Sequence, residues 1–518
     1  MWVYPEIRLV GDITRYQARE RGDEIALIGG DEQLTFAELD RRTNRVANAI
    51  LARNLPADAR IGWFGKNYLE LADTLFGAAK AGYAFMPVNW RLAPREVGQL
   101  LDDSACAVLF VEDVLADAIE AALAFVKEPP QVVVFTPGQA HWLGGFADGA
   151  PDTDQRVPVS ECSTALQMYT SGTTGLPKGV ELAHAGFNYM RLSEHLDPGR
   201  VWGAGDSFLL FMPNFHMSGV GWLIQNLYNG IRITILPQYE PAAVLAAIRE
   251  TRPTIVLIVP TALQALLDHP DAADTDFTCL RLLAYAGSQM PLPLIEEALA
   301  RMQCSFLNCY GATEIISTCT WLRPDDHDLT NPERLKSVGS VVPLVEMRLL
   351  DPEGREVAEG EVGEIVVRMP SVFKGYWRNP EATAAVVKNG WYYTGDAATR
   401  DAEGFYYLKD RIKDMIVSGG ENIYSSEVEA ALVRHPAVAE AAVIGVPHPR
   451  WGEAVKALVI PAAGQDVTPE ALVAHCREHI AGYKVPKYFE FVTDFPRTPS
   501  GKVQKGVLRT QHRDTAAA

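Results

Sequence analysis

Apolar residues in the first part of the chain recur in two different patterns. Residues 36–52 place apolar side chains three or four positions apart, which is typical of an amphipathic helix. Residues 107–111 and 132–135 are short, continuous apolar runs of the kind found in buried strands. Thr35, followed by Glu38 three residues later, is typical of a capping box at the start of the helix. The alternation of helices and strands predicts a layered α/β architecture.

A second stretch of alternating strands and helices follows, and after it the predicted secondary structure changes to mostly strands. Buried strands are predicted at residues 207–212, 231–236, 255–259 and 281–284, and helices at 241–251 and 293–302. From about residue 338 strand patterns dominate, and after Lys413 helices and strands mix again. We therefore expect an α/β protein with a large N-terminal domain, residues 1–411, built from layered α/β sheets and a β-rich subdomain. A small α+β C-terminal domain, residues 412–518, is expected to follow.

Length and charge limit the classes of function. The 518 residues exceed what one hydrophobic core holds, so at least two domains are expected. Apolar residues make up 48% and charged residues 22% of the chain, which is the mixture of an ordinary globular protein. The net charge of -18 argues against nucleic acid as a partner, because phosphate backbones bind basic surfaces. An anionic substrate would have to be held by a few local cations, dipoles and metal ions.

The first residues and the cysteines indicate a location. The start of the chain lacks the basic and apolar segments of a secretory signal. The most apolar window, residues 208–228, is interrupted by polar side chains such as Asn214 and Gln225, so no transmembrane segment is expected. Seven cysteines without Cys-x-x-Cys spacing favour free thiols in a reducing compartment over a zinc site or a disulfide framework. These features predict a soluble, cytoplasmic protein.

The most informative segment is rich in glycine and small hydroxyl residues. It reads Tyr169-Thr-Ser-Gly-Thr-Thr-Gly-Leu-Pro-Lys-Gly179 and lies between a predicted strand, residues 165–168, and a predicted helix, residues 185–194. Glycines let backbone N–H groups approach phosphate oxygens, hydroxyls add donors, and Lys178 adds a positive charge. The spacing is not that of a Walker A loop. A flexible polar turn is the alternative, and four hydroxyl residues, three glycines and a lysine in this order make it the weaker one.

Further polar motifs follow this segment. Tyr310-Gly-Ala-Thr-Glu314 comes after a predicted strand and offers an aromatic face for a purine and a hard oxygen ligand for Mg²⁺. Tyr392-Tyr-Thr-Gly-Asp396 places a carboxylate after a glycine, where it can accept ribose hydroxyls; alone it would indicate an Asx turn. Residues 409–424 lie where the strand-rich pattern changes to mixed helices and strands. Pro499-Ser-Gly-Lys502 lies in a basic, turn-rich segment. A charged linker and a disordered basic tail are the simpler alternatives for these two.

In this order, the segment and the motifs resemble those of the adenylate-forming superfamily, which includes acyl-CoA synthetases, peptide-synthetase adenylation domains and beetle luciferases. The resemblance extends from about residue 169 to Lys505. It implies nucleotide contacts from Thr170, Ser171, Gly172, Thr173, Thr174, Lys178, Gly287, Ser288, Tyr310, Gly311, Ala312, Thr313, Glu314, Asp396, Arg411 and Lys502.

The resemblance also assigns catalytic roles. Lys502 is implied to be the lysine of adenylation, whose mobile ammonium bridges the attacking carboxylate and the α-phosphate of ATP. Such a bridge offsets the repulsion between two anions by positioning and by charge. Thr170 and Glu314 are implied to complete the catalytic set and to hold the Mg²⁺.

The resemblance implies a hinge and a CoA channel in residues 409–424. Lys413 corresponds to the hinge about which the family's mobile C-terminal domain turns between two half-reactions. Gly419 and Gly420 resemble the backbone that lines the CoA channel. Ser425 stands where the family often has proline, which is a small departure.

The acyl site is predicted from weaker features. A lone histidine such as His216 is more often structural than catalytic. In peptide-synthetase adenylation domains this place holds an aspartate that pairs with the substrate's α-ammonium, so His216 disfavours an α-amino acid and favours a plain carboxylate. Gly219 and Gly221 could leave an apolar slot, and the resemblance adds Ala286 and Gly311 to the acyl site.

The predicted function is that of an ATP-dependent carboxylic acid–CoA ligase. It would form acyl-AMP and pyrophosphate, and then acyl-CoA and AMP, with Mg²⁺ as cofactor. A medium- or long-chain fatty acid is expected, and an aryl or cinnamate-type acid would suit the slot too. A carrier-protein thiol or, as in luciferases, oxygen is the alternative acceptor, and a non-catalytic nucleotide- or acyl-binding relative is the alternative from another class. The sequence leaves the oligomeric state open, with a homodimer as one option.

Overall fold

The structure is a computed structural model that describes residues 3–139, 145–170, 177–197, 203, 205–316, 318–418, 421–498 and 501–512, with residue 422 by its backbone alone. The chain folds into two compact units. The first comprises residues 1–346 and 367–392, and the second comprises residues 347–366 and 393–518. The expected α/β class with a large N-terminal and a small C-terminal domain is confirmed. The division between residues 411 and 412 stays a prediction.

Helices occur throughout the described residues, and the predicted start of the second one is confirmed. Thr35 Oγ1 accepts a hydrogen bond from the Glu38 N–H, while the Glu38 carboxylate accepts one from the Thr35 N–H, which is a complete capping box. The described α-helices are Asp12–Arg21, Phe36–Leu51, Leu69–Ala81, Pro94–Ser104, Ala116–Leu123, His184–Leu196, Trp222–Tyr228, Pro241–Thr251, Pro260–Leu267, Leu292–Met302, Pro380–Val386, Ser425–Val433, Pro469–His479 and Lys505–Gln511.

The first unit contains a sheet that has nine strands in the described part of the chain. Most neighbouring strands are parallel, and antiparallel pairs occur at both ends. The continuous apolar runs of the sequence arise because every residue of strands such as Ile255–Ile258 is buried. The four strands predicted for this region are confirmed, with ends that differ by no more than two residues. In spatial order the strands are Ser340–Val341, Thr320–Leu322, Ser305–Tyr310, Leu282–Ala286, Ile255–Ile258, Ser207–Leu210, Arg232–Ile235, Ile25–Gly29 and Glu32–Thr35.

A second sheet of the first unit has seven strands among the described residues. Its strands Thr164–Thr170 and Lys178–Ala183 are antiparallel neighbours on either side of the glycine-rich segment. In spatial order the strands are Gly375–Tyr376, Lys178–Ala183, Thr164–Thr170, Ala84–Pro87, Arg60–Phe64, Cys106–Glu112 and Gln131–Phe135. This sheet therefore places residues that are about 200 positions apart in sequence, in the first two strands, next to each other.

The second unit contains most of the β-rich segment, which we expected in the N-terminal domain, together with the predicted C-terminal α+β segment. Neighbouring strands of its first sheet are Glu346–Leu350, Gly363–Arg368, Trp391–Arg400 and Tyr406–Arg411. Its last sheet has Glu421–Ile423, Ile416–Ser418, Gly452–Pro461 and Val438–His448 in spatial order, with Tyr488–Phe491 also beside Gly452–Pro461. Helices Ser425–Val433 and Pro469–His479 cover this sheet and bury Val428, Leu432, Leu472 and Cys476 in a common core.

Two further facts concern the whole described chain. None of its described helices combines the length and the apolar character that crossing a membrane requires. All seven cysteines are free thiols.

Candidate active site

Two strand ends frame the glycine-rich segment. Thr170 is the last residue of strand Thr164–Thr170, and Lys178 is the first residue of strand Lys178–Ala183. The two residues are direct partners in the antiparallel ladder, so both lie at the same end of the seven-stranded sheet. The predicted phosphate contacts between them, namely Ser171, Gly172, Thr173 and Thr174, lie outside the described residues.

The second motif leaves the nine-stranded sheet at the end of strand Ser305–Tyr310. Thr313–Ile315 form a short 3-10 turn that buries Glu314, of which 9% is exposed. Ile316 follows with φ 54°, a left-handed conformation that β-branched residues rarely adopt. Strained backbone of this kind persists only where packing holds it, and it clusters at functional sites. Around the turn, Gly311 is exposed, and Tyr310, Ala312 and Thr313 are half-buried.

A tyrosine outside the predicted motifs joins these two places. Tyr376 Oη donates a hydrogen bond to Glu314 Oε1 at 2.9 Å. The Lys178 Nζ lies 4.9 Å from the centroid of the Tyr376 ring, within cation–π distance. Nothing in the local sequence signals this role, because an aromatic residue at position 376 is also what a buried strand requires. Lys178 and Glu314 are thus brought together through a third side chain.

The segment that begins at Ala286 lies at the same edge of the nine-stranded sheet as the Tyr310 motif. Strands Leu282–Ala286 and Ser305–Tyr310 are parallel neighbours, so their carboxyl ends lie side by side. Gly287 has φ 91°, which favours glycine, and both Gly287 and Ser288 are exposed. Open α/β sheets bind ligands at the carboxyl ends of their parallel strands, so this edge suits a nucleotide.

The predicted acyl site lies at a π-helical turn. His216 precedes the turn Met217–Gly221, which leads into helix Trp222–Tyr228. A Cβ at Gly219 would lie 2.1 Å from the Pro213 carbonyl oxygen, so a close backbone approach requires glycine there. The space beside Gly221 holds the Met217 side chain, whose methyl would lie 2.6 Å from an added Cβ. Glycine at these positions thus has packing reasons, and the acyl-binding roles of His216, Gly221, Ala286 and Gly311 stay predictions.

The oxygens available for a metal ion fit a particular kind of site. Thr170 and Glu314 offer hard oxygen ligands, which Mg²⁺ prefers. Over the described ranges, no group of three or more His, Cys, Asp or Glu side chains could hold a metal ion. Mg²⁺ commonly binds through one or two carboxylates together with substrate phosphates. These residues therefore fit an ion that arrives with ATP rather than one held by the protein alone.

The second unit holds the other predicted carboxylate. Asp396 and Arg411 are direct partners in the antiparallel strands Trp391–Arg400 and Tyr406–Arg411. The Arg411 Nε lies 2.7 Å from the Asp396 Oδ1, and the Arg411 Nη1 donates to the Thr394 carbonyl at 3.1 Å. The Asp396 side chain is 16% exposed and that of Arg411 is 48% exposed. This carboxylate is therefore accessible while it is paired with a cation.

Two lysines share the electrostatic environment of Asp396. Lys502 is exposed as a residue, yet desolvation lowers the pKa of its ammonium, and the charge of Arg411 lowers it further while Asp396 opposes both. Desolvation, Arg411 and Arg509 likewise lower the pKa of Lys413 against the effect of Asp396. Three cations act on one carboxylate, which makes this part of the second unit suitable for an anion.

Contacts in the second unit also cross the predicted hinge at Lys413. Asp410, which precedes it, accepts a hydrogen bond from Ser425 Oγ at 2.5 Å and one from the next backbone N–H at 3.2 Å. Ser425 Oγ in turn accepts one from Lys505 Nζ at 2.6 Å. The Asp410 carboxylate therefore caps helix Ser425–Val433 at its N-terminus, where negative charge is favourable. The predicted CoA contacts Gly419 and Gly420 lie outside the described residues.

Comparison with known proteins adds independent information. The family model described as AMP-binding enzyme matches residues 14–377, and the model described as AMP-binding enzyme C-terminal domain matches residues 427–502. A fatty acid–[acyl-carrier-protein] ligase of Streptomyces coeruleorubidus is 36% identical over 509 residues, which cover 98% of this chain and 97% of the relative. A feruloyl-CoA synthase of an Amycolatopsis species is 38% identical over 496 residues, which cover 95% of this chain and 97% of the relative.

A solved structure agrees with these matches along the whole chain. The crystal structure of the anthranilate CoA ligase AuaEII in complex with anthranoyl-AMP superposes with a TM-score of 0.88 and 29% sequence identity. The match covers 99% of this chain and 99% of that one.

Proposed function

Because this chain belongs to the AMP-binding enzyme family and is an AMP-forming acid–thiol ligase, we propose that it joins a medium- or long-chain fatty acid to free CoA. The reaction has two steps, adenylation and thioester formation. A carboxylate oxygen attacks the α-phosphorus of ATP, the bond to pyrophosphate breaks, and acyl-AMP forms. The CoA sulfur then attacks the acyl carbon, AMP leaves, and the thiol proton passes to solvent.

We assign the first step to Lys502, Thr170 and Glu314. Lys502 is the group that offsets repulsion between the carboxylate and the α-phosphate, supported by the cation cluster in which Arg411 and Lys413 also act on Asp396. Thr170 and Glu314 are the proposed ligands of a nucleotide-bound Mg²⁺, which would neutralise phosphate charge.

The class of acid rests on one observation. His216 stands where an aspartate would pair with an α-ammonium, and its neighbours Phe215, Val220 and Trp222 are almost completely buried apolar residues. A buried apolar surface without a carboxylate favours an acid with no ammonium group. This supports a plain apolar acid.

Two alternatives have observations of their own. The similarity to a feruloyl-CoA synthase and to an anthranilate CoA ligase favours an aryl acid as the second candidate substrate. The similarity to a fatty acid–[acyl-carrier-protein] ligase favours a carrier-protein thiol as the second candidate acceptor. A cytoplasmic location and a homodimer stay predictions.

A mass-spectrometric assay tests these proposals together. The enzyme is given Mg·ATP and fatty, short branched or aryl acids, with no acceptor, with CoA, or with a phosphopantetheinylated carrier protein. A fatty acyl-CoA formed only in the presence of CoA is expected. Acylation of the carrier protein without acyl-CoA would replace the acceptor, and turnover confined to aryl acids would replace the substrate class.

A further inference from the structure

Tyr376 lies between two groups that the proposed function assigns to nucleotide chemistry. Its hydroxyl donates to Glu314 Oε1 at 2.9 Å, and its ring carries the Lys178 ammonium 4.9 Å from its centroid. The three residues come from different parts of the sequence, and Tyr376 lies outside the motifs described above. The contacts of Tyr376 with Glu314 and Lys178 therefore depend on the fold.

The backbone around Tyr376 fixes the position of its side chain. Strand Gly375–Tyr376 pairs with the strand that begins at Lys178, with Tyr376 opposite Val180. The Tyr376 N–H donates to Thr383 Oγ1 at 2.9 Å, and Tyr376 is only 8% exposed. A buried aromatic side chain held in this way cannot turn away from the carboxylate without breaking local packing.

A second backbone contact fixes the carboxylate side of the pair. The Phe373 N–H donates to the Glu314 carbonyl oxygen at 2.7 Å. The Phe373 ring also packs edge-on against the Tyr376 ring, with centroids 4.9 Å apart. The 3-10 turn that contains Glu314 and the strand that contains Tyr376 are therefore joined at two points.

The chemistry of the three side chains explains how a tyrosine can hold both a carboxylate and an ammonium. A lysine and a glutamate that contact the same tyrosine from two sides would otherwise attract each other, and an ion pair between them would consume both charges. A tyrosine hydroxyl is a neutral donor, so it orients a carboxylate and leaves its negative charge available. The ring face holds the ammonium through its quadrupole and leaves the N–H donors of the lysine available for phosphate.

We propose that Tyr376 is a positioning residue that orients the Glu314 carboxylate for a nucleotide-bound Mg²⁺ and keeps the Lys178 ammonium from pairing with it. This inference rests on the proposed function, because it assumes that Glu314 meets the metal ion and Lys178 meets phosphate. Hydrogen-bond partners of metal ligands typically change metal affinity by about 10- to 100-fold when they are removed.

The test measures binding rather than turnover. Tyr376→Phe keeps the ring and its cation contact but removes the hydroxyl. Calorimetric titration of the full-length protein is expected to show about tenfold weaker binding of Mg·ATP and unchanged binding of ATP in the presence of EDTA. Tyr376→Leu also removes the ring face, so it is expected to weaken ATP binding even without Mg²⁺, because Lys178 becomes free to pair with Glu314.

A matched control separates positioning from stability. Tyr68 also donates its hydroxyl to a carboxylate, that of Glu112 at 2.8 Å, and neither residue belongs to the predicted site. Tyr68→Phe is expected to lower the unfolding temperature to a similar extent as Tyr376→Phe and to leave Mg·ATP binding unchanged. If Tyr376→Phe weakens ATP binding equally with and without Mg²⁺, or changes neither, the inference is overturned.

A double variant and the wild type complete the experiment. If Tyr376 acts through Glu314, adding Tyr376→Phe to Glu314→Gln should weaken Mg·ATP binding no further, and additive losses would contradict that route. Wild-type protein that binds ATP no better with Mg²⁺ than without it would overturn the proposed metal site itself. Failure of the inference and failure of the proposed function therefore give different results.

Discussion

Glu314 in the first unit and Asp396 in the second are held in opposite ways. Glu314 is buried and accepts a hydrogen bond from the neutral hydroxyl of Tyr376. Asp396 is more accessible and pairs directly with the guanidinium of Arg411. A carboxylate with a neutral donor keeps its full charge for a cation, whereas one that is paired with arginine is largely neutralised and suits hydroxyl donors. The two environments therefore fit a metal ligand and a ribose ligand, respectively.

The largest expected effect comes from the lysine near Asp396. Lys502→Ala should slow acyl-AMP formation by roughly 10²- to 10³-fold, because a single charge-stabilising group commonly contributes that much. Conversion of supplied acyl-AMP to thioester should stay near the wild-type rate. Half-reaction assays by mass spectrometry check both values, with Lys487→Ala as the control, an exposed lysine of the same unit. Equal loss in both half-reactions would contradict a role confined to adenylation.

Exchanging each carboxylate for its amide tests the comparison itself. Glu314→Gln should reduce adenylation by about 10- to 100-fold and raise the Mg²⁺ concentration needed for half-maximal rate. Asp396→Asn should raise the KM for ATP by about tenfold without changing the Mg²⁺ requirement, because it replaces one of two acceptor oxygens with a donor and removes the charge that pairs with Arg411. Steady-state kinetics over a grid of ATP and Mg²⁺ concentrations separates the two, and the same Mg²⁺ response in both variants would refute the contrast.

The sequence predicts only part of the contrast between Glu314 and Asp396. Buried strands such as Ser207–Leu210 were predictable because a strand covered on both faces must be apolar at every position. The carboxylates themselves were predictable because motif spacing identifies them. Their partners were not, because the pairing of Tyr376 with Glu314 depends on strands that are far apart in sequence. The slot expected beside Gly221 also depended on a side chain, that of Met217, whose position no local pattern specifies.

The cations around Asp396 should make the adenylation rate sensitive to alkaline pH. Desolvation and Arg411 lower the pKa of Lys502, so its ammonium should lose its proton at a lower pH than an ordinary lysine. If the ammonium is required, the adenylation rate should fall as the pH rises through this lowered pKa. Arg411→Gln removes one cause of the shift and should move the fall to higher pH, beneath a lower maximal rate. ATP–pyrophosphate exchange across pH measures this, and a shift to lower pH in the variant would contradict it.

The smallest expected effect concerns the contact across the predicted hinge. Ser425 lies after Lys413 and donates to Asp410, which lies before it, so turning at Lys413 must break this hydrogen bond; Lys505, which donates to Ser425, lies on the same side of Lys413 as Ser425. Asp396 also acts on the charge of Lys502, and we expect adenylation to require this arrangement. Ser425 is completely buried, and its acceptor Asp410 is half-buried. Ser425→Ala should therefore slow adenylation about fivefold, the equivalent of about 1 kcal/mol for one hydrogen bond to a charged group. The thioester step from supplied acyl-AMP should be unchanged or faster.

Thr468→Ala is the matched control, because Thr468 caps helix Pro469–His479 of the same unit without crossing Lys413. If Thr468→Ala changes the ratio of the two half-reactions as much as Ser425→Ala does, the effect belongs to helix stability and the link does not control the hinge.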